Sequence, residues 1–139
     1  MGFLGVWQGS GRARIAIERR ANYLYASELR LSLDHRVLLC YDCEGHIDLP
    51  PHLFCATANA GYLPSADRTA LMYYRHGRRF LCHLPDSRAV ALYDSRKGRL
   101  YLYSGGGGLF LEETGEGILF STERRLLRAP HPVDVAILK

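Results

Sequence analysis

The residues in this chain whose types and spacing could do chemistry are cysteines and histidines. Cys40-x2-Cys43-x2-His46 is followed by His52-x2-Cys55. Zinc takes four sulfur or nitrogen ligands in a tetrahedron, and a Cys-x2-Cys turn offers two thiolates from one loop. Cys43, His46, His52 and Cys55 lie near enough in sequence to meet as a structural zinc set. The competing reading is local. Cys40 sits in an apolar run, where cysteine packs as a small hydrophobe, and the second half is His-x2-Cys, which breaks the spacing of a zinc ribbon. The thiols then read as buried side chains. No other cofactor is implied.

Cys82 and His83 are adjacent. On a strand, neighbouring side chains point to opposite faces, so the two would not form a nucleophile–base pair. His76 or His52 could approach Cys82 in space. Neither Gly-x-Ser-x-Gly nor His-Glu-x-x-His occurs. Asp34-His35 reads as a turn. The run Gly105–Gly108 lacks the Lys and Ser/Thr of a phosphate loop and leads into an apolar strand, so it reads as a flexible hairpin loop, able to act as a flap over a ligand. With no catalytic set in view, the reading leans away from an enzyme.

Nine tyrosines are the other chemical resource. Tyr73, Tyr93, Tyr101 and Tyr103 fall on the central segments, with Arg75, Arg78 and Arg99 beside them. Aromatics interleaved with arginine on a sheet can stack nucleic-acid bases. They can equally anchor a protein interface, or simply populate strands. The basic set numbers eighteen, all arginine except Lys97 and Lys139, against fourteen acids, giving a net charge of +4. That balance assists an anionic partner without demanding one.

These groups have to be positioned by strands. The chain is 139 residues long and 47% hydrophobic, the size of one domain with a core of its own. Period-two alternation recurs. Ala13, Ile15 and Ile17 would share one face of a strand, with Arg12, Arg14 and Glu18 on the other. Leu29, Leu31 and Leu33 alternate with Arg30 and Ser32. The segments 36–42, 69–75, 79–84, 89–94, 99–104, 109–113 and 117–122 are rich in Val, Leu, Tyr and Phe. Turn chemistry separates them at Leu33–Arg36, Arg75–Arg78, Asp94–Gly98 and Thr114–Gly117. Three segments, 36–45, 68–77 and 88–98, share a form: arginine, an apolar run ending in tyrosine, then a polar turn with glycine. Helix signals are few, a turn or two within 18–31 and a short segment within 121–128. Residues 133–138 could return as a last strand, and 50–66 reads as an irregular loop. The expectation is an all-β single domain over 1–139, an antiparallel barrel or sandwich of about nine to eleven hairpin-linked strands.

The opening Gly5-Val6-Trp7-Gln8-Gly9 resembles the Gly-x-Trp-x-Gly start of lipocalin-like (calycin) barrels. The resemblance covers those five residues and the general meander; the family's second motif has no match here. It implies an up-and-down barrel with Trp7 across its closed end. A basic residue near the last strand, Arg124, Arg125 or Arg128, would cover that ring.

Several strands are apolar on both faces, 36–41, 69–74 and 89–93 among them. That calls for a second layer or for a homodimer built through the sheet face. The N-terminal apolar run is too short for a signal peptide and no stretch is long enough to span a membrane, so the expected address is cytoplasmic with reduced thiols. The expected function is a non-catalytic interaction module for a macromolecular partner, protein before nucleic acid. Its surface would include Trp7, Tyr73, Arg75, Arg78, Tyr93, Arg99, Tyr101 and Tyr103. The alternatives are a lipocalin-like carrier of a small apolar ligand and an RNA- or single-stranded-DNA-binding barrel.

Overall fold

Strands that are apolar on both faces need cover on both sides, and the chain supplies it from its own sequence. The computed structural model describes residues 2–21, 28–42, 51–59, 66–84, 88–106 and 108–139. Its elements are β1 (Gly2–Trp7), α1 (Gly11–Ala21), β2 (Glu28–Leu31), β3 (Val37–Asp42), β4 (Leu53–Asn59) and α2 (Ala66–His76). A 3-10 segment, Gly77–His83, follows. Then come β5 (Arg88–Asp94), β6 (Arg99–Ser104), β7 (Phe110–Thr114), β8 (Gly117–Ser121), a 3-10 turn at Arg124–Leu126, β9 (His131–Pro132) and β10 (Val135–Leu138).

Two antiparallel sheets result. One runs β2-β3-β1-β8-β7-β9 and the other β10-β6-β5-β4. The class is all-β and sandwich-like. Among the described residues neither sheet closes into a barrel, so of the two expected forms the sandwich is the one present.

Period two assigns the faces. Phe3, Trp7, Val37, Leu39 and Phe120 of the six-stranded sheet meet Ala56, Ala89, Ala91, Tyr93, Leu100 and Leu102 of the four-stranded sheet. Phe3, Trp7 and Phe120 come from one sheet and three alanines from the other, so large side chains share the interlayer with small ones. The alternate residues face outward and are covered by helices. Leu4, Val6, Leu38, Cys40 and Leu119 pack under Ala13 and Ile17 of α1. Cys55, Val90, Leu92 and Tyr101 pack under Ala70 and Tyr73 of α2, with Phe80 beside them. The order is helix, sheet, sheet, helix. Of the two explanations for double-faced apolarity, the second layer is what the fold uses. The sheet faces expected to meet in a dimer lie beneath helices.

Gly5 belongs to this packing. A Cβ there would stand 2.3 Å from Phe120 Cζ, so the Phe120 ring crosses β1 where a side chain is missing.

Three expected strands are corrected. Residues 12–18 form α1: Ser10 Oγ accepts from the Ala13 N–H at 3.3 Å as an N-cap. Ala13 and Ile17, four apart, then share the buried face, while Ile15 stands 52% exposed. Residues 69–75 lie in α2, where Thr69, Ala70 and Tyr73 are buried and Leu71 is exposed. Gly77 does take positive φ, at +59°, but it ends a helix and does not turn a hairpin. Residues 79–84 then begin in the 3-10 segment. Leu53–Asn59, inside the expected irregular stretch 50–66, is β4 and pairs along its length with β5.

The other hairpins stand. Asp94 pairs with Arg99 across a turn closed by Gly98 at φ +62°, and Thr114 pairs with Gly117. Residues 133–138 include β10 at the edge of the four-stranded sheet. The turn 33–36 joins β2 to β3, with His35 carrying the positive φ of 62°. Among the described residues no helix is long and apolar enough to cross a membrane.

Candidate interaction surface

The expected Tyr/Arg surface divides in two. Tyr93 is buried between the sheets, edge-on to Trp7 at 5.5 Å, and its hydroxyl donates to the Asp34 carboxylate. Tyr73 reaches down from α2 and donates to Asp94 Oδ2 at 2.6 Å. Tyr101 packs against Tyr73 and Phe80, each at 5.5 Å between ring centres. Tyr103 is half-buried, with its hydroxyl 3.4 Å from the Leu84 carbonyl. Tyr73, Tyr93 and Tyr101 are core residues, closed to a stacking partner in this fold. Arg75 and Arg78 are exposed around the end of α2, and Arg99 is half-buried at the start of β6. The helices that cover the sheet have separated the rings from the cations.

Trp7 and Tyr93 do come together, at one end of the sandwich. The Arg36 guanidinium lies over Trp7, 4.6 Å from the ring centre. That cover comes from the β2–β3 turn; Arg125 and Arg128 stand with Arg20 of α1 on the opposite face of the six-stranded sheet. The Gln8 N–H donates to the Arg36 carbonyl at 2.7 Å, with Gln8 at φ +52°. Asp34 accepts from Ser32 Oγ at 2.8 Å and from the Arg36 N–H at 3.2 Å. Burial pushes the Asp34 carboxyl up, but the bonds from Tyr93, Ser32 and Arg36, and the charge of Arg36, outweigh it and hold the group below the ordinary carboxylate range. The Tyr93 hydroxyl is pushed up to about 12, by burial first and then by Asp34. The turn carrying Asp34 and Arg36 is thereby tied to both sheets.

For the metal set, Cys43 and His46 lie outside the described residues. His52 is half-buried, with Nε2 3.3 Å from the Tyr74 hydroxyl. Cys55 is buried on the α2 side of β4. Among the described residues no group of three or more candidate ligands gathers. Cys40 is buried under α1, and its thiol is pushed up to about 12 by burial and then by Glu18, so at neutral pH it packs as a hydrophobe. Cys82 is exposed in the 3-10 segment. Its neighbour His83 stacks on His76 at 4.0 Å and 21°. Ring nitrogens carry their lone pairs in the ring plane, so near-parallel stacked imidazoles do not aim at one shared metal.

The buried acids serve structure. Asp94 takes the Tyr73 hydroxyl and the Arg96 N–H, the latter at 2.9 Å. Glu112 takes the N–H groups of Arg128 and Ala129 at 3.3 and 3.2 Å. Both answer the rule that a buried carboxylate must be hydrogen-bonded. Neither role was marked by its sequence neighbours, although Asp94 does open a recognisable turn.

What remains unabsorbed is the edge at β2. Leu29 and Leu31 pair with Cys40 and Leu38, placing them on the α1 face of the sheet. Cys40 and Leu38 are covered there, but Leu29 and Leu31 are 47% and 39% exposed, and Leu33 just beyond is 66% exposed. The Ser32 N–H donates to the Val37 carbonyl. By the alternation of an antiparallel ladder, the backbone groups of Leu29 and Leu31 therefore point outward, away from β3. Among the described residues no strand pairs with that side.

No protein-family model matches the chain, and a search of the curated proteins finds no match.

Proposed function

We propose that the chain is a non-catalytic protein-interaction module that docks through the outer edge of β2, and that the strand it takes there is β2 of a second copy. The observation that carries this reading is Leu29 and Leu31, apolar and exposed on a terminal strand, with Leu33 exposed in the turn just beyond. Exposed apolar edges template strand addition.

Self-pairing suits the sequence. A two-fold axis normal to the sheet keeps faces together, so opposed residues must share parity. An axis through Leu31 sets Leu31 against Leu31, Leu29 against Leu33, and Arg30 against Ser32. An axis through Arg30 would oppose two arginines, which is unfavourable. Burying the exposed parts of these leucines and pairing the open backbone groups favour association, and a contact this small makes a reversible, concentration-dependent dimer. The non-catalytic part rests on the buried Asp94 and Glu112 being spent on structure, and on Cys40 staying protonated.

Sedimentation velocity over a wide concentration range tests this. The expected result is a monomer–dimer equilibrium that Leu31→Lys shifts to monomer with unchanged circular dichroism. A monomer throughout, or a dimer indifferent to Leu31→Lys and Leu29→Lys, overturns it.

A further inference from the structure

Beside the last turn of α1, on the helix-covered face of the six-stranded sheet, the described residues line a cleft of about 400 Å³. They are Arg20, Arg125, Leu126, Leu127 and Arg128. Three of the five are arginines and none is acidic. The volume is that of a small-molecule site.

The arginines stand on fixed supports. Arg20, in the last turn of α1, donates through Nη1 to the Leu126 carbonyl at 2.6 Å. That bond fixes the orientation of the guanidinium. Leu126 and Leu127 are each 7% exposed and form an apolar floor. Arg128 sits on backbone held by the buried Glu112, which uses one carboxylate oxygen on the Arg128 N–H and the other on the Ala129 N–H. Both oxygens of that acid are thus engaged with the main chain. Arg125 Nε lies 3.7 Å from Glu123, in a pair whose side chains are 68% and 42% exposed. An ion pair that open is weak and gives way to a better anion.

Arginine at the end of a helix has an ordinary explanation, since cations suit the negative end of the helix dipole. That accounts for Arg19 and Arg20 on α1. It does not account for Arg125 and Arg128, which arrive from more than a hundred residues away and line the same cleft. Planar forks converging on an apolar floor match the several oxygens of a phosphate.

We infer that this cleft binds a small phosphate-bearing anion, with Arg20 and Arg128 as its principal contacts. The inference is independent of docking at β2.

Isothermal titration at physiological salt, with inorganic pyrophosphate as the probe, tests it. The expected result is saturable one-to-one binding. Arg128→Gln, a change at an exposed side chain, should weaken it roughly tenfold or more, the loss of one charge-assisted contact. Arg20→Gln should do likewise. Arg79→Gln, in the 3-10 segment after α2, should leave it unchanged. Absence of saturable binding overturns the inference, as does an equal loss in Arg79→Gln. Tight binding of a single-stranded oligonucleotide without pyrophosphate binding also overturns it, and would assign the arginines to a nucleic-acid surface.

Discussion

Arg36 covers Trp7 at 4.6 Å while its neighbour Asp34 holds the hydroxyl of Tyr93, so one turn binds both sheets of the sandwich. Removing the guanidinium takes away the cation–π contact, worth about 0.5–2 kcal/mol. Arg36→Ala should therefore lower unfolding stability by about 1–2 kcal/mol, and Arg36→Lys by less. Trp7 is the only tryptophan. Its emission in a denaturant titration reports the transition directly, and an unchanged midpoint in Arg36→Ala would count against the clamp.

Alkali should unfold the protein earlier than its charge alone suggests. Cys40 and Tyr93 are both raised to about 12, and Tyr73 is raised further by burial and then by Asp94. Each group is protonated in the fold and ionises earlier in the unfolded chain. Their contribution is complete below pH ~9 and is lost as pH climbs from there toward ~12. Spectrophotometric titration should show Tyr73 and Tyr93 ionising only with unfolding. Asp34 works in the opposite direction. Its lowered pKa stabilises the fold above the ordinary carboxylate value, and that part is lost as pH falls through the lowered one.

Gly5 is required by Phe120. A Cβ at position 5 would come within 2.3 and 2.6 Å of two ring atoms, an overpacking that costs about 1–3 kcal/mol. Gly5→Ala should be destabilised to that extent, and Phe120→Leu should recover part of the loss. Chemical denaturation of the two single variants and the double variant measures the coupling. Strict additivity would contradict the contact.

Ile15 and Ile17 separate helix from strand. On a strand they share a face; on α1 Ile17 is buried and Ile15 is 52% exposed. Ile17→Ala should cost about 2–4 kcal/mol, and Ile15→Ala no more than ~0.5 kcal/mol. Equal losses in thermal unfolding would restore the strand.

The hairpins after residue 88 were legible because their turns carry local chemistry, Asp94 and Gly98 in one, Thr114 and Gly117 in another. The helices were not. Ala13-Ile15-Ile17 satisfies period two, yet Ala13 and Ile17 alone also satisfy a helical face, and only the sheet beneath decides between them. The segments 68–77 and 88–98 share a pattern, but the first lies largely in α2 and the second spans β5 and its turn. The burial of Tyr73 and Tyr101 follows from α2 lying over the four-stranded sheet, where the two rings meet, a tertiary fact. The tie between Asp34 and Tyr93 spans 59 residues. The Leu29–Leu31–Leu33 alternation was visible; that Leu29 and Leu31 lie on a terminal strand and stay exposed depends on sheet order.

The most direct test of docking at β2 is crosslinking through Leu31→Cys in a Cys82→Ser background. Pairing about an axis through residue 31 brings the two Cα atoms to about 5.5 Å, within disulfide reach. Under mild oxidation Leu31→Cys should give covalent dimer rapidly, and Ile15→Cys, on the exposed face of α1, only slow, collisional dimer. Equal rates at the two positions would contradict docking at β2.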